Sequence, residues 1–317
     1  MWSMTDEAVT AHRTDAGRQD HPGRVRGRDF VMFFEEKEGT TPIIRLLNNF
    51  RQVEVVRARG EWEPFDQHAC GPMRLSALRR CLDLVFSRAP IEEINEIYQQ
   101  TSSRALSKFD GDCSLGFKMR FKAPLEPSIS PPVQGRPRVR ATSESGSRTQ
   151  FSRTMIDVLR RHRALVFLAV RQDLLRWALS IYHGDGTGRP GHLQFQLASG
   201  KLEREEVPRI RVSPDALEET IEGCRAIHTR KRELAADLRA SGLDVVPVRY
   251  EDFLADRGAL LAELLVHLGY EVGEDEVRDA LAQGIRLERV HGDDLSEFFV
   301  NAEELESRFG DRFEAWV

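Results

Sequence analysis

Phe30-Val-Met-Phe-Phe34 is followed, after two glutamates, by Lys37-Glu-Gly-Thr-Thr41 and then by Pro42-Ile-Ile-Arg-Leu-Leu-Asn-Asn-Phe50. Five consecutive apolar residues ending at a turn fit a strand buried on both faces, and the apolar spacing after Pro42 fits a helix. Outward from this stretch the alternation continues. Val53 to Val56 reads as a second short strand, and Leu75, Leu78, Leu82 and Val85 mark one face of a helix. Leu115 to Phe121 reads as a third strand. Leu165 to Val170 reads as a fourth, running into a helix through Leu174, Leu175, Ala178 and Leu179. Asp244 to Val248 is the fifth, between helices marked by Leu217, Ile221 and Cys224 on one side and Leu260, Leu264 and Leu268 on the other. Strands alternating with helices predict an α/β fold, a mostly parallel central sheet with helices on both faces.

The chain has 317 residues, 40% hydrophobic and 31% charged, enough to bury a full core and too apolar for a disordered or fibrous protein. The longest apolar runs fall far short of the ~20 residues of a membrane helix. Residues 1 to 28 are polar, carry several arginines and have no hydrophobic period, so a flexible arm is expected there, with one domain over 29–317. The opening Met-Trp-Ser-Met-Thr-Asp-Glu has no apolar stretch of the secretory kind, and the expected location is cytoplasmic. Cys70, Cys81, Cys113 and Cys224 show no paired spacing, which speaks for reduced thiols and against a zinc site. With 46 basic and 51 acidic residues the formal charge is -5, so no general attraction to nucleic acid or anionic membranes is expected, and a polyanionic ligand needs a local site. Two stretches break the alternation, 123–149 and 184–214. Both are rich in turn-forming residues and are expected to be long loops that contact substrate.

Three segments carry candidate chemistry. In Lys37-Glu-Gly-Thr-Thr41 a buried strand turns into a helix, where free backbone N–H groups carry partial positive charge. Gly39 admits a phosphate close to the backbone, Thr40 and Thr41 add hydroxyls, and Lys37 supplies a full charge. A threonine-capped helix with a surface lysine is the competing reading. The segment is not a Walker A loop, which needs Gly, four residues, then Gly-Lys-Ser/Thr. In Val170-Arg-Gln-Asp-Leu-Leu-Arg-Trp-Ala-Leu-Ser-Ile-Tyr182, Arg171 stands at the C-terminal end of a strand, where open α/β sheets bind ligands, and Ser180 follows on the next helix. In Val248-Arg-Tyr-Glu-Asp-Phe-Leu-Ala-Asp256, Asp256 is a candidate helix cap, and Tyr250 and Glu251 are candidate anchors of the strand end.

In this order the three segments resemble sulfotransferases that use 3′-phosphoadenosine 5′-phosphosulfate (PAPS), with the second and third nearest to the bacterial trehalose and glycolipid branch. The likeness spans roughly residues 30 to 290. It implies a P-loop-like nucleotide-binding fold and a transferase that moves a sulfuryl group to a hydroxyl of a small-molecule acceptor: a sugar, a glycolipid or a secondary metabolite. By the same resemblance, Lys37 and the backbone of Glu38, Gly39, Thr40 and Thr41 hold the 5′-phosphosulfate, Arg171 and Ser180 hold the 3′-phosphate, and Arg289, in Arg286-Leu-Glu-Arg-Val-His-Gly-Asp-Asp294, adds a late contact. Lys37 is also expected to act in catalysis. Gly60-Glu-Trp-Glu-Pro-Phe-Asp-Gln-His68 stands where the family keeps its base, and Glu63 is the choice within it, with Glu61 and His68 behind. Lys118, in a Gly-x-Lys strand, is either a contact to the transferring group or a strand-edge lysine.

Three features depart from the family: Glu35 and Glu36 before the loop, Glu38 within it, and Trp177 where a polar residue is usual, which hints at a different acceptor. The carboxylates weaken anion binding unless they point away or pair with a cation. No metal is expected. Two other readings stay open, a non-catalytic nucleotide-binding protein of the same fold and a nucleotide-dependent kinase of related architecture.

Overall fold

A computed structural model describes residues 27–316 apart from 36, 59–61, 66–74, 101, 103, 110–111, 121–144, 187–196, 198–201 and 284–293. Among the described residues the sheet has five strands: β1 (Phe30–Phe34), β2 (Val53–Val55), β3 (Ser114–Arg120), β4 (Leu165–Val170) and β5 (Val245–Arg249). They lie in the order β2-β3-β1-β4-β5, and every neighbouring pair is parallel. β1 and β4 are buried on both faces along their whole length, as continuous apolar runs must be when helices cover both sides. Strand limits differ from the sequence reading by one residue at β2, β3 and β5. Ser114 joins β3 because the Tyr270 hydroxyl, 2.9 Å from its Oγ, satisfies it in the interior.

The sheet's two faces are covered by different helices. On one face α1 (Thr40–Leu47) brings Ile43, Ile44 and Leu47 against Phe30, Met32 and Phe167. On the other, α2 (Leu75–Phe86), α3 (Ile91–Tyr98) and α4 (Ser145–Arg161) pack on Val31, Phe33, Val166 and Leu168. α4 begins inside the stretch 123–149 that was expected to be a loop, because Met155, Val158 and Leu159 at helical spacing give it a face to bury. After β4, α5 (Leu174–Gly186) and α6 (Pro214–Ala240) form a third cluster with residues of the C-terminal region. The stretch 184–214 is likewise not one loop. α5 runs on to Gly186, and a 3₁₀ turn at Arg204–Glu206 and a bridge from Ile210 to Phe299 occupy its second half.

The remaining helices follow β5: α7 (Tyr250–Ala255), α8 (Arg257–His267), α9 (Glu274–Ala282) and α10 (Ala302–Phe309). Asp256 caps α8 as its position suggested, accepting from the Ala259 N–H at 2.9 Å. Of the expected N-terminal arm only Gly27 and Arg28 are described, and both donate backbone N–H groups, to the Tyr270 hydroxyl and to the Leu268 carbonyl. The C-terminal residues run back along the turn after β4. Leu174 donates to the Arg312 carbonyl at 3.0 Å, and Glu314 donates to the Gln172 carbonyl at 2.9 Å. Cys81, Cys113 and Cys224 are buried and unbridged, while Cys70 lies outside the described residues. Among the described residues no helix is long and apolar enough to cross a membrane.

Candidate functional site

The strand order decides where a ligand can sit. The chain leaves β1 toward β2 on one side and leaves β4 toward β5 on the other, so the helices that follow these two neighbours cover opposite faces. Open α/β sheets usually bind ligands in the crevice at such a point, here the C-terminal ends of β1 and β4. Lys37 to Thr41 and Arg171 are the residues at that crevice.

The loop after β1 is bent by two left-handed residues, Lys37 at φ 62° and Gly39 at φ 75°. Gly39 is also the N-cap of α1, and among the described residues no side-chain cap bond is made there, which corrects the threonine-cap reading. Gly39 has a second reason to be glycine: a Cβ there would lie 2.2 Å from Cε2 of Tyr250. The third segment therefore works as a wall against the first. Gly39→Ala forces Tyr250 aside and strains the backbone, so a loss of about 2–4 kcal/mol of stability is expected from the left-handed conformation and the overlap together. Urea denaturation of the variant measures this, and an unchanged midpoint would refute it.

Arg171 is buried and ties three segments together. Its Nη1 donates to the Lys37 carbonyl at 2.8 Å and to Ser180 Oγ at 3.1 Å, and its guanidinium carbon lies 4.9 Å from the Tyr250 ring centre. Ser180 reaches it because α5 starts three residues after Arg171 and turns back under it. Glu251 adds a fourth tie, accepting from the Asp173 N–H at 3.1 Å. His183, one turn beyond Ser180, is packed between Phe298 and Phe299. Burial lowers its pKa, a hydrogen bond with the Pro208 backbone opposes this, and the charge of Lys37 lowers it further.

Glu35 and Glu38 are both buried, and Glu36 lies outside the described residues. The Glu38 side chain turns inward to the ammonium group of Lys231 on α6, at 2.6 Å. Burial pushes its carboxyl pKa up, with Lys231 pulling the other way.

On the far side of the loop Lys118 stands on β3 beside β1. Its side chain is almost fully buried, with Nζ 2.8 Å from Thr41 Oγ1, 2.8 Å from Glu63 Oε1 and 4.5 Å from the Phe34 ring centre. Glu63 Oε2 lies 3.5 Å from Arg120 Nε. Glu63 is thus held beside the loop by two cations of β3. The strand-edge reading of Lys118 is corrected, because β3 lies between β2 and β1 and Lys118 is buried at register with Met32, where a lysine needs a specific partner.

Of the sequence-chosen residues, Lys37, Glu38, Gly39, Thr40, Thr41, Arg171, Ser180 and Glu63 surround this crevice. Arg289, Glu61 and His68 lie outside the described residues. Trp177 is fully buried beside His228, so its side chain belongs to the core and the hint it offered about the acceptor falls away. Among the described residues no group of three or more His, Cys, Asp or Glu is placed to hold a metal.

Among solved structures the chain is similar to a sulfotransferase from Alicyclobacillus acidocaldarius, at 14% sequence identity and a TM-score of 0.40, over 91% of this chain and 93% of that one. A likeness of that degree assigns no residue a role. No family model matches the chain, and no curated protein matches it.

Proposed function

We propose that this protein transfers a sulfuryl group from PAPS to a hydroxyl of a small-molecule acceptor. The observation that carries the reading is the junction at Arg171, whose guanidinium joins the Lys37 carbonyl and Ser180 Oγ at the β1–β4 crevice. A donor with phosphate at both ends needs two anion positions, and in this reading the loop before α1 takes one and the Arg171–Ser180 pair the other. The residues fit such a ligand. Among the described residues the N-terminus of α1 carries no side-chain cap, and Glu38, the carboxylate within the loop, is turned inward onto Lys231.

When bound, PAPS supplies a sulfuryl group already attached to a good leaving phosphate, so positioning and charge neutralisation carry most of the catalysis. In this reading Lys37 neutralises negative charge gathering on the leaving oxygens. The N–H groups from Glu38 to Thr41 hold the same anion from the backbone side. Glu63 takes the acceptor's proton. Lys118 orients Glu63 through Oε1 and fixes Thr41 through its hydroxyl oxygen, which leaves the Thr41 hydrogen free to donate. Arg289 adds a late donor contact from the C-terminal third of the chain. The acceptor is a sugar, a glycolipid or a secondary metabolite, and the enzyme works in the cytoplasm.

Thermal unfolding with adenosine 3′,5′-bisphosphate beside ADP at equal concentration tests the donor. At ~100 times its dissociation constant the 3′,5′-bisphosphate is expected to add about 2.7 kcal/mol and raise the melting temperature. A shift with ADP alone would favour a kinase-like nucleotide site, and a shift with neither would remove the donor assignment.

A further inference from the structure

Glu38 and Lys231 are nearly two hundred residues apart, and neither side chain has any exposed surface. Lys231 Nζ lies 2.6 Å from both Glu38 oxygens and 2.6 Å from the Ala169 carbonyl on β4, so all three of its donors are used inside the protein. Glu38 Oε2 also accepts from the Glu35 N–H at 2.6 Å. The pair therefore joins the end of β1, the end of β4 and the middle of α6 at one point. A buried ion pair contributes little net stability, because desolvation of both charges offsets their attraction. Its location suggests a different use. Glu38 sits between Lys37 and Gly39, the two left-handed residues of the loop. Lys37 has a Cβ, so its conformation is strained and persists only where the surroundings over-determine it.

Resting on the donor reading above, we propose that Glu38 and Lys231 are positioning residues that lock the loop after β1 in its anion-binding conformation. The pair draws the Glu38 side chain away from the crevice, cancels its charge there, and holds the backbone on either side in its left-handed turns. Its polarity is set by the backbone. The Glu35 N–H needs an acceptor and the Ala169 carbonyl needs a donor, so the exchanged pair, Glu38→Lys with Lys231→Glu, does not restore the lock.

The test compares wild type, Lys231→Met and the double variant Glu38→Gln/Lys231→Met by urea midpoint, by calorimetric binding of adenosine 3′,5′-bisphosphate, and by amide hydrogen exchange over residues 35–41 without ligand. Lys231→Met lowers the midpoint sharply, since it leaves a buried carboxylate unpaired. The double variant recovers most of the midpoint, yet binds the bisphosphate at least ~30-fold more weakly, and its loop amides exchange roughly tenfold faster. Wild-type exchange rates in the double variant would overturn the proposal whatever the affinity does. If wild type itself does not bind the bisphosphate, the donor reading fails and loop exchange still decides the lock. If the double variant does not fold, Glu38→Gln alone, which keeps shape and one hydrogen bond to Lys231, is read by the same exchange criterion.

Discussion

Replacing Arg171 by methionine is expected to weaken binding of adenosine 3′,5′-bisphosphate by about a thousandfold. Two losses combine. On the donor reading proposed above, a charged contact to the ligand's phosphate disappears, at roughly 1.5–3 kcal/mol for a hydrogen bond to an ionised group. The tie between the Lys37 carbonyl and Ser180 Oγ is also lost, which frees the loop that holds the other end of the ligand. Together these make about 4 kcal/mol, and three powers of ten in the dissociation constant correspond to that figure. Methionine keeps much of the side chain's length against Tyr250, so the effect belongs to the guanidinium rather than to a cavity. Arg171→Lys tests the geometry separately. It keeps the charge and loses the planar fork, so it should fall between wild type and methionine. Calorimetry on the three proteins measures all of this, and binding by the methionine variant within threefold of wild type would remove Arg171 from the donor site.

The second large effect is on stability against pH. His228 on α6 is buried against Trp177 and Trp316, behind the turn that carries Arg171. Burial, and then the positive charges of Lys231 and Arg232 on the same helix, push its pKa down from 6.5 to about 3, while contact with the Arg171 backbone acts in the opposite direction. Glu314, on the C-terminal segment, places a carboxylate oxygen 3.9 Å from Nδ1. Because the folded pKa is depressed, the unfolded chain takes up a proton below pH 6.5 that the folded protein refuses until about pH 3. Stability therefore falls as the pH drops through that window, by about 1.4 kcal/mol per unit from this one residue. Between pH 6.5 and 4.5 the wild-type protein should lose about 2.3 kcal/mol more than His228→Leu, since the unfolded histidine is already half protonated at pH 6.5 and carboxylate contributions are common to both and cancel. Urea denaturation at the two pH values gives the difference directly. Parallel pH dependence in the two proteins would show that His228 is not held neutral.

Much of the architecture was legible because it follows from local composition. A continuous apolar run such as Phe30–Phe34 or Leu165–Val170 must be covered on both faces, and parallel strands joined by helices are the ordinary way to cover it. α4 was missed for a local reason: its first residues, Ser145-Gly-Ser, read as a turn, and its described buried residues, Met155, Val158 and Leu159, are few. The residues around the crevice were legible for a related reason. They stand where strands end, and strand ends can be read from the chain even when their pairing cannot. Trp177 misled because one helix position reads alike whether its face meets solvent or the core.

What the linear order of residues does establish is the alternation of strand and helix, the glycine needed at a tight strand-to-helix turn, and a short roll of candidate charges at strand ends. Each depends on neighbours within a few residues. Which charges meet and which cancel is settled by contacts between residues far apart in the chain, as Glu38 with Lys231, Lys118 with Glu63 and Gly39 with Tyr250 demonstrate. Four carboxylates and lysines that look equivalent in the sequence thereby become a buried lock and a paired candidate base. The physical reason is that a charge's effect depends on its partner's distance and on burial, and both are properties of the packed chain.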